Sequence, residues 1–161
     1  MGTRSLTIIR DEQGTDLLTM YRQWDGYLEG HGKALASFLA PFKVGNGITD
    51  YSPNVKQANG AGCLAAQIVA HFKRPTPKTK FSAARGPIGN FYVYPNGSKD
   101  VGEEYVYIVT ARVDSIRVDV LDGNWKQITE GTAAQVKAWI AKEIRSRASR
   151  KAAQTRKAAK V

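Results

Sequence analysis

Ile116-Arg117-Val118-Asp119-Val120 alternates apolar and charged residues at every step, and that period of two decides the fold class. Successive side chains of a strand point to opposite faces, so the pattern predicts a sheet with one buried face and one wet face. Just downstream, Asp122-Gly123-Asn124 has the residues of a hairpin turn leading to Trp125 and Ile128. Upstream, Tyr105 to Thr110 and Phe91-Tyr92-Val93-Tyr94 are aromatic and β-branched runs, the second closed by Pro95-Asn96-Gly97. At the N-terminal end, Ser5-Leu6-Thr7-Ile8-Ile9-Arg10 reads as a strand and Leu17 to Gln23 as its return. The polar turn Asp11 to Asp16 between them makes this a hairpin.

Three stretches switch to the period of a helix. Leu35, Phe38, Leu39 and Phe42 form one apolar stripe, ended near Pro41 and Gly45-Asn46-Gly47. Ala65, Ile68, Val69 and Phe72 form a second within Gly62 to Phe72, with Lys73 and Arg74 at the end where the helix dipole favours cations. Thr132-x-x-Gln135 is a capping box opening a third helix with the stripe Val136, Trp139, Ile140 and Ile144. Residues 43–60, with Gly45, Gly47, Pro53, Asn54 and Gly60, read as irregular. Pro75, Pro77 and Pro87 break up a basic loop containing Lys78, Lys80 and Arg85. The expected class is α+β: a largely antiparallel sheet with three packed helices and a basic C-terminal helical extension. Residues 1–144 form a single domain and 145–161 a tail.

At 161 residues the chain is long enough for one substantial core, and 42% hydrophobic content with 24% charged residues suits a globular protein. No apolar run reaches the roughly 18 residues of a membrane span. The opening Met-Gly-Thr-Arg-Ser lacks a signal peptide's apolar stretch, and Leu6 stands where a myristoylation motif wants Ser or Thr. With Cys63 as its one cysteine, the chain is expected in a reducing cytoplasm. The charge is unevenly spread. Residues 142–161 hold eight Lys/Arg and one Glu, a net of +7, which leaves +3 of the total +10 for residues 1–141.

The joint between the N-terminal hairpin and the first helix, Met20 to Gly32, concentrates aromatics, acids, an arginine, a histidine and three glycines. Read as a site, Gly30-His31-Gly32 would aim free backbone N–H groups at an anion, with Arg4 or Arg22 as countercharge. Tyr21, Trp24 and Tyr27 would offer faces for a base. The ligand-binding set is Arg4, Tyr21, Arg22, Asp25, Tyr27, His31 and Gly32. The plainer reading weighs slightly more: Asp25-Gly26 forms the turn, Tyr21 and Trp24 are core, and Arg22 pairs with Asp25 or Glu29. A hydrolase would use His31 as base oriented by Asp25, but no further catalytic signature accompanies them. Cys63 and His71 read as packing residues, and Gly60-Ala61-Gly62 as a close-packed helix start. Two histidines and one cysteine, far apart, predict no metal site, and no cofactor is expected.

Tyr21-Arg22-Gln23-x-Asp25-Gly26-Tyr27-x-x-Gly30-His31-Gly32, after the opening Met1-Gly2-Thr3-Arg4-Ser5-Leu6-Thr7, resembles a family of uncharacterised proteins encoded by bacteriophages and bacteria. Gly62-Cys63-Leu64-Ala65-Ala66-Gln67-Ile68-Val69-Ala70-His71-Phe72 is similar to that family too, as is Phe91-Tyr92-Val93-Tyr94-Pro95 followed by Glu104-Tyr105. The resemblance extends over residues 1–130 and implies a phage-type accessory protein, in the host cytoplasm, with a candidate site at the matching positions.

In the tail, Arg145, Arg147, Arg150, Lys151, Arg156, Lys157 and Lys160 stand among small polar residues and alanines, with no large apolar residue before Val161. Such a run neutralises phosphates without regard to sequence, so non-specific nucleic-acid binding is the expected role. No apolar face accompanies the charge, which argues against a membrane surface. The preferred function is therefore a non-enzymatic binding protein engaging nucleic acid or a nucleotide-like anion. An inhibitor or adaptor binding a host protein comes second, and a small hydrolase of phosphorylated compounds third. The sequence leaves the oligomeric state open.

Overall fold

The computed structural model describes residues 2–47, 56–73 and 90–158. Its six-stranded sheet runs in the order β5-β2-β1-β6-β7-β8, built from β1 (Ser5–Arg10), β2 (Asp16–Arg22), β5 (Phe91–Tyr94), β6 (Tyr105–Arg112), β7 (Ser115–Asp122) and β8 (Gln127–Thr132). Every neighbouring pair is antiparallel except β1 and β6, which run parallel from Ser5↔Tyr105 to Arg10↔Thr110. The class is α+β, with a mostly antiparallel sheet and, among the described residues, three α-helices. They are α1 (Lys33–Leu39), α2 (Gly60–Lys73) and α3 (Ala133–Ala158). Two short strands, β3 (Lys43–Gly45) and β4 (Gln57–Asn59), pair in parallel and order part of the stretch expected to be irregular.

Alternation along β7 sorts the faces as the sequence implies. Ile116, Val118 and Val120 join the main core with Ile9, Met20, Val109, Leu35, Leu64, Ile68, Val136 and Ile140, which places the three helices on one face of the sheet. Arg117 and Asp119 face the other way; Arg117 pairs with Asp119 at 2.9 Å and with Glu130. That second face is not wet throughout. Its centre, on β1, β2, β6 and β7, holds Leu6, Ile8, Tyr21, Val106, Ile108 and Leu121, against which Tyr94, Val101 and Trp125 pack. The parallel pairing requires this, because the chain from β5 must cross β2 and β1 to reach β6. The crossover is locked by Glu103, whose buried carboxylate accepts the N–H groups of Asp100 (3.1 Å) and Val101 (2.9 Å) and the Trp125 indole N–H (3.2 Å).

The capping box forms as expected. Thr132 N–H donates to Gln135 Oε1 at 2.8 Å, and Gln135 N–H donates to Thr132 Oγ1 at 3.3 Å. From there α3 runs without a break to Ala158. The basic helical extension expected past Ile144 forms: Ala, Arg, Lys and Gln are strong helix formers, and Glu143 and Arg147 make an i,i+4 pair at 2.8 Å. The Pro75–Pro87 segment with Lys78, Lys80 and Arg85 lies outside the described residues, as do Pro53, Asn54 and Lys160.

Candidate functional site

At the joint the chain makes a single π-helical turn, Leu28–Gly32, and passes directly into α1. Asp25 takes a left-handed conformation, φ +58°, which an aspartate tolerates better than most residues. Its carbonyl then receives the His31 N–H at 2.8 Å. Gly30 and Gly26 are glycines for lack of room. A Cβ on Gly30 would collide with the Asp25 carbonyl oxygen, and one on Gly26 would lie 2.7 Å from the Arg4 backbone. The expectation of free N–H groups here is corrected, since the tight turn consumes them. Gly30 and Gly32 donate to the Tyr27 carbonyl at 3.1 and 3.3 Å, and Lys33 donates to the carbonyls of Gly30 and Leu28. With those donors closed within the turn, Gly30, His31 and Gly32 have no N–H left to offer an anion.

His31 is fully buried between the sheet and the helices. Its Nδ1 lies 3.1 Å from an Arg22 guanidinium nitrogen and its Nε2 lies 2.7 Å from Thr7 Oγ1. A guanidinium can only donate, so Nδ1 accepts and the ring proton sits on Nε2, donated to Thr7. Phe72 and Tyr107 meet the ring edge-on at centroid distances of 5.0 and 5.2 Å. Burial first, and the Arg22 charge second, hold the imidazole well below its ordinary pKa, so it is neutral. Both nitrogens are occupied and no solvent reaches them. The geometry makes His31 a buried strut.

Arg22 is the hub of this arrangement. Its Nε donates to the Trp24 carbonyl at 2.5 Å, its guanidinium lies 4.8 Å over the Phe91 ring, and the Asp25 carboxylate stands 3.9 Å away. Burial lowers its pKa from the usual arginine value. Asp25 thus turns its carboxylate to Arg22 and only its backbone to His31, and the base–orienter pair of the hydrolase reading does not form. Asn90 clamps the other side, accepting the Trp24 N–H at 2.8 Å and donating to the Trp24 carbonyl at 3.0 Å. Tyr107 donates its buried hydroxyl to the Gly26 carbonyl at 2.8 Å.

The predicted ligand set divides between the two faces of the sheet. Arg22, Asp25, His31 and Gly32 come together on the helix side, with Tyr27 at the rim. Arg4 and Tyr21 lie on the opposite face, where Arg4 approaches Gly102 and Tyr21 stacks on Tyr94 at 4.8 Å. The Tyr21 ring is 5% exposed, so its face is taken. Sequence reasoning missed Thr7, Asn90, Phe91 and Tyr107 as partners of the joint. Only the parity of Thr7 with Ile9 hinted that it pointed inward. Cys63 is half-buried and accepts a 3.3 Å contact from Gln67, and His71 stacks on Phe38 at 4.0 Å. Among the described residues, no cluster of His, Cys, Asp or Glu could hold a metal ion.

The distal half of α3 is different. Every residue from Arg145 to Arg156 is exposed. Arg147 ties the helix root to the body, 3.8 Å from Glu29 of the π-helical turn and 2.8 Å from Glu143, which also receives Arg150 at 3.1 Å. The hydrogen bond from Arg147 holds the Glu143 carboxyl below its usual pKa. Among the described residues Arg145, Lys151 and Arg156 enter no ion pair. Lys157 lies on the same helix.

No family model, curated protein or solved structure matches the chain. No helix among the described residues is long and apolar enough to cross a membrane.

Proposed function

We propose that this protein is a non-enzymatic accessory binding protein, of the kind bacteriophages encode, that engages nucleic acid through the distal half of α3. The observation that carries the reading is a stretch from Arg145 to Arg156 in which every side chain is exposed, five are cations and none is an acid. Residues 142–161 carry +7 of the chain's total of +10, so this helix is a strong attractor for phosphate. Binding of this type is electrostatic, tolerant of sequence and steeply weakened by salt, because each neutralised phosphate releases counterions. The joint contributes rigidity instead: the N–H groups of Gly30, His31 and Gly32, both imidazole nitrogens, and Nε and Nη1 of Arg22 are spent within the fold, which weighs against a nucleotide pocket or a hydrolytic centre there.

The test compares the full chain with one ending at Ile144 on DNA and RNA columns at low salt. Retention is expected for the full chain and expected to vanish for the shortened one. Equal retention of the two would sink the proposal. A lysate protein that stays bound through nuclease and high salt would point instead to an adaptor for another protein.

A further inference from the structure

Resting on that electrostatic reading, we infer that the distal half of α3 is built to lie in the major groove of double-stranded DNA, in preference to single strands or duplex RNA. The first observation is order. The cations ride on a helix continuous with the body, whose root is fixed by Arg147 to Glu29. From Arg145 to Ala158 that rod extends about 20 Å at 1.5 Å per residue.

The second observation is how charge is arranged around the rod. At about 100° per residue, Arg145 and Arg156 fall within about 20° of each other, while Arg150, Arg147 and Lys151 spread over the opposite side at about 140°, 200° and 240°. A single strand presents one row of phosphates and would be served by one stripe of cations. Two opposed flanks match two rows. The B-form major groove supplies them on either side of a channel about 12 Å wide, close to the diameter of a helix with its side chains. The major groove of duplex RNA is deep and narrow and does not admit a helix.

The third observation is composition. Single-strand binders stack bases on aromatic rings, yet the last aromatic residue of this chain is Trp139, on the apolar stripe that packs against the core. Beyond Ile144 the residues between the cations are Ser, Ala, Gln and Thr. They keep the rod slim enough for a groove and give a base nothing to stack on.

The experiment titrates the intact protein, by fluorescence anisotropy, into a DNA duplex of about two helical turns, its single strand, and an RNA duplex of the same sequence, at equal phosphate concentration. The DNA duplex is expected to bind about tenfold tighter than either of the others. Equal affinity for all three overturns groove seating while leaving the electrostatic reading intact, and absence of binding to any overturns both. A second arm uses Ala148→Pro, which changes no charge but breaks the helix beyond the last core residue. Its preference for DNA duplex is expected to fall to the single-strand level while the body melts as before. A preference that survives this break overturns the inference.

Discussion

Arg22 and Arg150 each stand beside an acid in a polar stretch, yet their side chains are 14% and 64% exposed. Arg22 spends its N–H groups on the Trp24 carbonyl and the His31 ring, and lays its plane over Phe91. Arg150 reaches only Glu143, within its own helix. The difference shows that density of functional-looking residues is a poor guide to a site. A cluster of arginine, histidine and acids becomes a strut when the fold turns its donors onto acceptors of its own, and a plainer run of Arg, Lys and Ala becomes a surface when its side chains stay in solvent.

The sharpest way to break this contrast is to damage each region separately. A chain ending at Ile144 is expected to lose nucleic-acid affinity about a thousandfold at low salt, the scale set by several lost phosphate contacts, with its melting temperature little changed. His31→Ala is expected to do the reverse. It opens a cavity and strands both the Arg22 donor and the Thr7 hydroxyl, costing about 3 kcal/mol and lowering Tm by about 9 °C, with nucleic-acid binding intact. Thermal melts and anisotropy on both variants decide the matter. If His31→Ala left stability unchanged and altered ligand affinity, the roles assigned to the two regions would be exchanged.

The strut also predicts a pH dependence. His31 is neutral in the folded protein and held below its unfolded value of about 6.5. Its contribution to stability is therefore complete above pH 6.5 and is lost as pH falls below it, because the unfolded chain takes up a proton that the native one refuses. The limiting slope is about 1.4 kcal/mol per pH unit. His31→Gln, which removes the titration, is expected to flatten the slope measured by denaturant midpoints between pH 7 and 5. An unchanged slope would show that the ring is not neutral and buried in solution.

Two smaller effects sharpen the picture at the root of α3. Thr132→Ala removes one half of the capping box and is expected to cost about 1 kcal/mol, read from urea unfolding. Glu29→Gln cuts the tie from the joint to Arg147. As an exposed pair it is expected to cost under about 0.5 kcal/mol, and its signature is increased hydrogen exchange in the last turns of α3.

Much of this body was legible because its signals are local. The alternation of Ile116 to Val120, the turn Asp122-Gly123-Asn124 and the Thr132/Gln135 pair each settle their own structure within a few residues. The parallel pairing of β1 with β6 was not legible, since Ile9 gives no sign that Val109 lies beside it. That pairing in turn hides why Leu6, Val106 and Ile108 are apolar on the face opposite the helices. The joint was legible as unusual, but its role was not, because the partners that neutralise it come from Thr7, Asn90, Phe91 and Tyr107. The helical course of the tail was legible too, because it rests on local propensity and i,i+4 pairs such as Glu143 with Arg147.

The central pair of strands carries one more consequence, for the order in which the molecule assembles. The N-terminal hairpin can close as soon as Arg22 exists, but Ser5 must wait for Tyr105, a hundred residues later, before the middle of the sheet is complete. Loop closure over that span precedes any reward from the contact, which places refolding in the millisecond-to-second range and not in microseconds. On the ribosome the first strand therefore spends most of synthesis with one edge unsatisfied, and the sheet seals only as the last third of the chain emerges.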